Sequence, residues 1–285
     1  MRLRPPLAAL LCLALAGSCA GPNLWTDGTS VSTGTSNRGR LRRPARLPGK
    51  GPGYVVPTRW SDRGFNFGVD ELVAAIQRAA RLVRGSSKKV TLGVADISPL
   101  AGGRSRWHSS HQSGRDVDLL FYSVDGTGEP LPPADEMIHF DGEGKAHAPP
   151  RVVYEEEGWE RRRFDTARNW RLLEALLDDP SIRVHWVFVS NPLRQRLLDH
   201  ARAAARPTWL IEYAAVVMRQ PGDAPPHDDH FHVRVFCSRA DRFHGCVDRG
   251  PIWQHEKKAY KYGGPERYDP VAHRLLLAAP VLLGP

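Results

Sequence analysis

Long apolar runs are missing from this 285-residue sequence. Residues 7–16 and 275–283 are apolar, but each is about half of the ~20 residues that a membrane-spanning helix needs, so the body of the chain is expected to be soluble. A Gly-rich phosphate loop, a Ser-x-x-Lys pattern and a Gly-x-Ser-x-Gly elbow are also missing, which argues against a nucleotide cradle and a serine nucleophile. No internal repeat is present. Cysteine is scarce at four residues, and acidic residues are outnumbered, 31 against 40 Lys plus Arg, a formal net charge of +9. That excess calls for an anionic partner without choosing among nucleic acid, lipid and acidic polymer. With 25% charged and 41% hydrophobic residues, 26 Gly and 24 Pro, the composition is globular and turn-rich. It is not that of a collagen, a coiled coil or a disordered chain.

The N-terminus narrows the partner. Arg2 and Arg4, the apolar residues 7–16 and then small residues follow the order of a secretory signal. Two processing routes fit residues 1–20: cleavage after Ala20, or lipidation of Cys19 in the lipobox-like Leu15 to Cys19. Loss of Arg2 and Arg4 with this segment takes the charge from +9 to +7. Export argues against nucleic acid as the partner. It also leaves Cys237 and Cys246 as a pair in an oxidising compartment, where a disulfide is expected. Residues 21–53, rich in Gly, Ser, Thr, Arg and Pro, read as a flexible tether to a domain over 54–250, with residues 251–285 as a C-terminal extension.

Periodic order begins near Val69. Leu72, Ala75, Ile76, Ala79, Leu82 and Val83 recur at helical spacing before Gly85. Strands are expected in 88–98, 117–123, 184–190 and 230–236, and helices over 164–179 and from Pro192 onward, whereas 125–150 is a long insertion with little pattern. Without regular βαβ alternation, this mixture predicts a single α+β domain with a mostly antiparallel sheet and flanking helices.

Two segments carry polar residues where a core pattern would not. The first runs from His108 through His111, Gly114 and Asp116 to Asp118; Asp116 and Asp118 share one strand face, and Gly114 lets the chain turn so that His111 folds back toward them. The second is His227-Asp228-Asp229-His230-Phe231-His232. Here His230 and His232 project from one face while Phe231, Val233 and Val235 face the core. Two His and one Asp with a position left for water make the composition of a catalytic zinc site. Asp116 reads as a carboxylate that steadies a ligating imidazole. Trp107 is the aromatic best placed for substrate, whereas Trp159, Trp170 and Trp186 read as core.

The segments SSHQSGRDVDLLFY and HDDHFHVRVFC resemble the two signatures of the penicillin-insensitive murein endopeptidases. These belong to a wider group with lysostaphin-type peptidases, D-Ala-D-Ala carboxypeptidases and the Sonic hedgehog N-terminal domain. His and Asp seven apart are followed by a His-x-His strand, and VFVSNPLRQRLL and the cysteine after the strand add support. The resemblance covers roughly Pro57 to Val247. It implies the fold of that group, with zinc held by His111, Asp118 and His232, His230 as base or transition-state stabiliser and His227 as a second polar group in the cleft. His108 is a candidate for a second metal, for which Asp141 and His147 are weaker partners.

The implied activity is hydrolysis of D-alanyl–meso-diaminopimelyl cross-links of peptidoglycan in the periplasm, with a lipid anchor through Cys19 and an oligomer both open. Arg104, Arg106 and Arg115 flank the first motif, where they could hold a stem-peptide carboxylate. The alternatives are a D-Ala-D-Ala-type carboxypeptidase and a non-catalytic, zinc-bearing wall-binding module.

Overall fold

The computed structural model describes residues 29–222 and 224–253. The signal-like segment with Cys19, and all of the C-terminal extension beyond Trp253, lie outside the described residues.

The architecture is mixed α+β, with several small sheets and six α-helices among the described residues. The helix Asp70–Arg84 forms because Leu72, Val73, Ile76, Ala79, Ala80 and Val83 fall on one buried face. Asp70 and Glu71 sit at its positive N-terminal end, and Gly85, at φ +52°, ends it. Leu82, expected on the core face, is 55% exposed. The helix packs against Thr166–Leu177, whose N-cap Asp165 accepts from the Arg168 amide and whose Trp170, Leu172, Leu173, Leu176 and Leu177 are buried. Asn191–Ala203 begins with Pro192 in its first turn, as its sequence suggests. A further helix, Thr208–Val217, follows Pro207 and was not anticipated.

Helices and loops surround a four-stranded sheet in the order 218–219, 184–188, 230–235, 116–120. The strand His230–Val235 pairs antiparallel with Val184–Phe188 on one side and with Asp116–Leu120 on the other, and only Met218–Arg219 joins in parallel. His232 stands opposite Asp118, and Arg234 opposite Asp116. Paired residues share a face, so Phe231, Val233, Val235, Val117 and Leu119 all enter the core while the polar set lies together on the reverse side. The stretch 88–98, expected as one strand, forms a strand at Leu92–Gly93, beside Tyr54–Val55, and a single antiparallel bridge from Val94 to Leu119. It then runs extended along the 116–120 strand, with Ala95 N donating to Asp118 O and Asp118 N to Asp96 O, both at 2.9 Å.

Residues 29–53 correct the expectation of a tether. Val31–Thr35 and Arg38–Arg42 form an antiparallel hairpin, and Leu41, Ala45 and Leu47 are buried in the main core. The second strand alternates exposed Arg38, Arg40 and Arg42 with buried Gly39 and Leu41. A period-two strand lies beneath the arginine-rich composition that suggested disorder. The hairpin is tied to the far end of the domain: Gly34 N donates to Gly245 O at 2.9 Å, and Val247 N to Gly34 O at 2.8 Å. Beside this contact, Cys237 and Cys246 form the expected disulfide.

The insertion 125–150 is better organised than its sequence indicated. His139–Phe140 pairs with Ala146–His147, and buried Ile138 and Phe140 seat it; Phe140 packs with Phe121 and Phe164. It thereby carries His139 to the polar face of the sheet.

Candidate metal centre

His111 adopts a left-handed backbone at φ +61°, unusual for a residue with a side chain. Gly114, at φ +73°, completes the turn, and a Cβ there would come within 2.7 Å of Leu41 Cδ2. This turn aims the buried His111 ring back at Asp118. Its Nδ1 donates to the carbonyl of Ile97 at 2.8 Å, and a carbonyl only accepts, so Nδ1 carries a proton and Nε2 is the atom left for a metal. That Nε2 lies 3.3 Å from Asp118 Oδ1, and both atoms are buried without a hydrogen bond.

His232 presents its other nitrogen. Its Nε2 donates to Asp116 Oδ1 at 2.8 Å, which leaves Nδ1 unprotonated and 3.5 Å from Asp118 Oδ1. Asp116 also accepts from Arg234 Nε at 2.6 Å. Burial opposes the charge of Asp116, but Arg234 and His232 outweigh it and hold the carboxyl well below its usual range. Asp118 is likewise buried yet held well below that range, by His111 and His230. Burial also opposes protonation of His111, yet the Asp118 charge raises it to about 9. For His232 burial prevails and lowers the imidazole to about 4, a neutral ring. His111 Nε2 and Asp118 Oδ1, buried and without a hydrogen bond, and the unprotonated His232 Nδ1 beside them fit a divalent metal of nitrogen and oxygen preference, which would displace the proton that Asp118 favours on His111.

His230, as expected, shares this face. Its Nε2 is 3.5 Å from Asp118 Oδ1, while Nδ1 donates to Asp229 Oδ1 at 2.6 Å. His227 lies at the edge of the same cleft, its ring 5.1 Å from His230, and burial lowers its pKa. The His108 ring lies 4.4 Å from that of His111, tilted against it, and offers a ligand atom within 4.8 Å of those of His111 and Asp118. Its Nε2 is already engaged, however, 2.7 Å from Asp96 Oδ2. Asp116 holds an imidazole, the role its sequence position suggested, and that imidazole is His232. Asp141 instead closes its own turn onto Lys145 N, and His147 Nε2 lies 3.4 Å from Asp228.

Three participants were missed in the sequence. Asp96 joins His108 to Arg63, Asp229 orients His230, and His139 Nδ1 meets Asp228 Oδ1 at 2.5 Å. His139, Asp228 and Asp229 form a second cluster able to hold a metal. The acidic pair beside His230 was the available signal for Asp229; nothing in the insertion's pattern marked His139. Of the flanking arginines, Arg115 is unavailable to substrate. It is buried against Asp248 at 2.9 Å and against the carbonyls of Val235 and Val247. Trp170 and Trp186 are buried and Trp159 partly so, whereas Trp107 is exposed.

The family model described as penicillin-insensitive murein endopeptidase matches residues 32–259. The chain belongs to this family. It is therefore a peptidase of a zinc metallopeptidase family whose substrate class is murein. The penicillin-insensitive murein endopeptidase of Klebsiella pneumoniae subsp. pneumoniae is 28% identical over 257 residues, which is 86% of this chain and 81% of that protein. The protein of the same description from Klebsiella pneumoniae strain 342 matches with the same identity and coverage. The endopeptidase match begins inside the N-terminal hairpin, in agreement with that hairpin being part of the folded unit. Among the described residues, no helix is long and apolar enough to cross a membrane.

Proposed function

We propose that this chain is a zinc-dependent endopeptidase that hydrolyses D-alanyl–meso-diaminopimelyl cross-links between peptidoglycan stem peptides in the periplasm. His111 Nε2, Asp118 Oδ1 and His232 Nδ1 would hold the metal, within a domain of the group shared with lysostaphin-type peptidases. The observation that carries the reading is the pair of buried, unsatisfied atoms His111 Nε2 and Asp118 Oδ1, with the free Nδ1 of His232 beside them. Zinc, when bound, supplies Lewis acidity toward a carbonyl and toward water.

The chain's own groups supply the rest. Asp116 holds the His232 ring through Nε2, and Ile97 O holds the His111 ring through Nδ1, so neither ring can swing away from Asp118. His230, held through Nδ1 by Asp229, presents Nε2 at the same point, where it would take a proton from the attacking water and pass it to the leaving amine. His227, at the cleft edge, would contact substrate. The Cys237–Cys246 disulfide and the signal-like N-terminus support a location outside the cytoplasm. The chain's positive charge would favour approach to an anionic wall.

Digestion of purified cross-linked muropeptides tests the reading. Conversion of dimer to monomer, abolished by a chelator and by His230→Ala, is the expected result. Release of a terminal D-Ala alone would assign a carboxypeptidase, and metal retention with no turnover a binding module.

A further inference from the structure

Next to the metal centre lies an open pocket of about 700 Å3 lined by Arg59, Asp62, Arg63, Phe65, Arg106 and Trp107. Trp107 is 47% exposed, and the guanidinium carbons of Arg63 and Arg106 lie 4.4 and 4.5 Å from its ring centroid. Both are within cation–π range. Arg63 is anchored from behind, its Nη1 donating to Asp96 Oδ2 at 2.7 Å, the same oxygen that His108 Nε2 meets. His108 in turn packs against His111. Trp107, His108, Asp96 and Arg63 therefore form one wall between the pocket and the donor set.

Two of the three guanidiniums of this pocket already have a carboxylate. Arg63 is paired with Asp96, and Arg59 has Glu136 at 4.0 Å. Asp62 is exposed at the rim, next to the Ser61 hydroxyl. Arg106 has no carboxylate partner among the described residues. Arg63 already has its counter-charge in Asp96, so Arg106, held on the Trp107 ring, is the guanidinium left to take an incoming anion. The planar guanidinium fork matches a carboxylate, and it does so at a fixed place, unlike the diffuse attraction of a basic surface.

We propose that this pocket is a substrate-carboxylate subsite. Arg106, backed by Arg63, holds a free carboxylate of the stem peptide under cleavage, and Trp107 packs on the aliphatic part of the residue that bears it. The inference rests on the peptidoglycan reading above for its substrate class.

The test uses the zinc-loaded full chain, Arg106→Gln and Trp107→Leu. Calorimetry compares a stem tetrapeptide bearing free carboxylates with the same peptide amidated at each of them, while turnover of the cross-linked dimer is followed in parallel. The wild type should bind the acid about tenfold more tightly than the amide, and Arg106→Gln should erase that preference. For the dimer, Arg106→Gln should raise KM about tenfold and leave kcat within about twofold. Trp107→Leu should weaken acid and amide alike. Equal binding of acid and amide by the wild type overturns the proposal. So does an Arg106→Gln variant that weakens both equally, since that is the mark of long-range charge alone. Discrimination without any dimer cleavage would sustain the subsite and defeat the endopeptidase reading.

Discussion

Asp116 Oδ1 accepts from His232 Nε2 at 2.8 Å and from Arg234 Nε at 2.6 Å, so one buried oxygen sets the direction of the imidazole that faces Asp118. Asp116→Asn removes the charge and keeps the shape. It should lower zinc affinity by about ten- to hundredfold, as loss of a carboxylate behind a ligating histidine does elsewhere. Competition with a chromophoric chelator measures this, with far-UV circular dichroism as the control for folding. Unchanged affinity would show that His232 needs no such support.

His185 gives the metal-free protein an acid sensitivity of its own. Its ring stacks on Phe236 at 4.1 Å and on Trp186 at 5.4 Å, and its Nε2 donates to Pro251 O at 3.0 Å. Burial lowers its pKa to about 4; Asp248 acts in the opposite sense, and Arg234 and Arg115 reinforce the drop. A buried group that resists protonation contributes stability above the unfolded value near 6.5 and loses it as pH falls toward 4. The Tm of His185→Phe should therefore fall less steeply than that of the wild type between pH 6.5 and 4. Parallel slopes would remove His185 from the account.

The N-terminal hairpin should behave as core. Leu41 is buried, and Leu41→Ala should cost about 2–5 kcal/mol in urea unfolding. A cost near zero would restore the picture of a tether.

Reduction of the Cys237–Cys246 bond should also be felt at a distance. The bond closes a loop of nine positions, for which loss of the cross-link is expected to cost about 2–3 kcal/mol. Because Gly34 bonds to Gly245 and Val247 next to it, protease cleavage within residues 31–42 should accelerate under reductant. Equal cleavage rates with and without reductant would uncouple the hairpin from the bridge.

The legible parts of the site were those written in strand periodicity. Asp116 and Asp118, and His230 and His232, alternate with apolar residues, so their shared faces followed from spacing two, and the structure sets His232 opposite Asp118 on the neighbouring strand. Asp229 and His139 were not legible. One sits in a short acidic turn that resembles any solvated turn, and the other is brought in by a two-residue strand too brief to show a period. The hairpin at 31–42 was obscured for a different reason. Its outward arginines dominate the composition, and a single inward leucine is too little apolar signal to reveal a strand. Arg115 could not be told from a surface arginine, because its partner Asp248 lies 133 residues away.

The 230–235 strand lies between the 184–188 and 116–120 strands and follows both in the chain. The imidazole it contributes stands 116 residues from the carboxylate that orients it. A chain interrupted before residue 230, or one whose last strand has not yet inserted, would have His111 and Asp118 but no third donor. Synthesis order and sheet order together thus act as a safety catch: the proposed donor set is complete only in the finished fold.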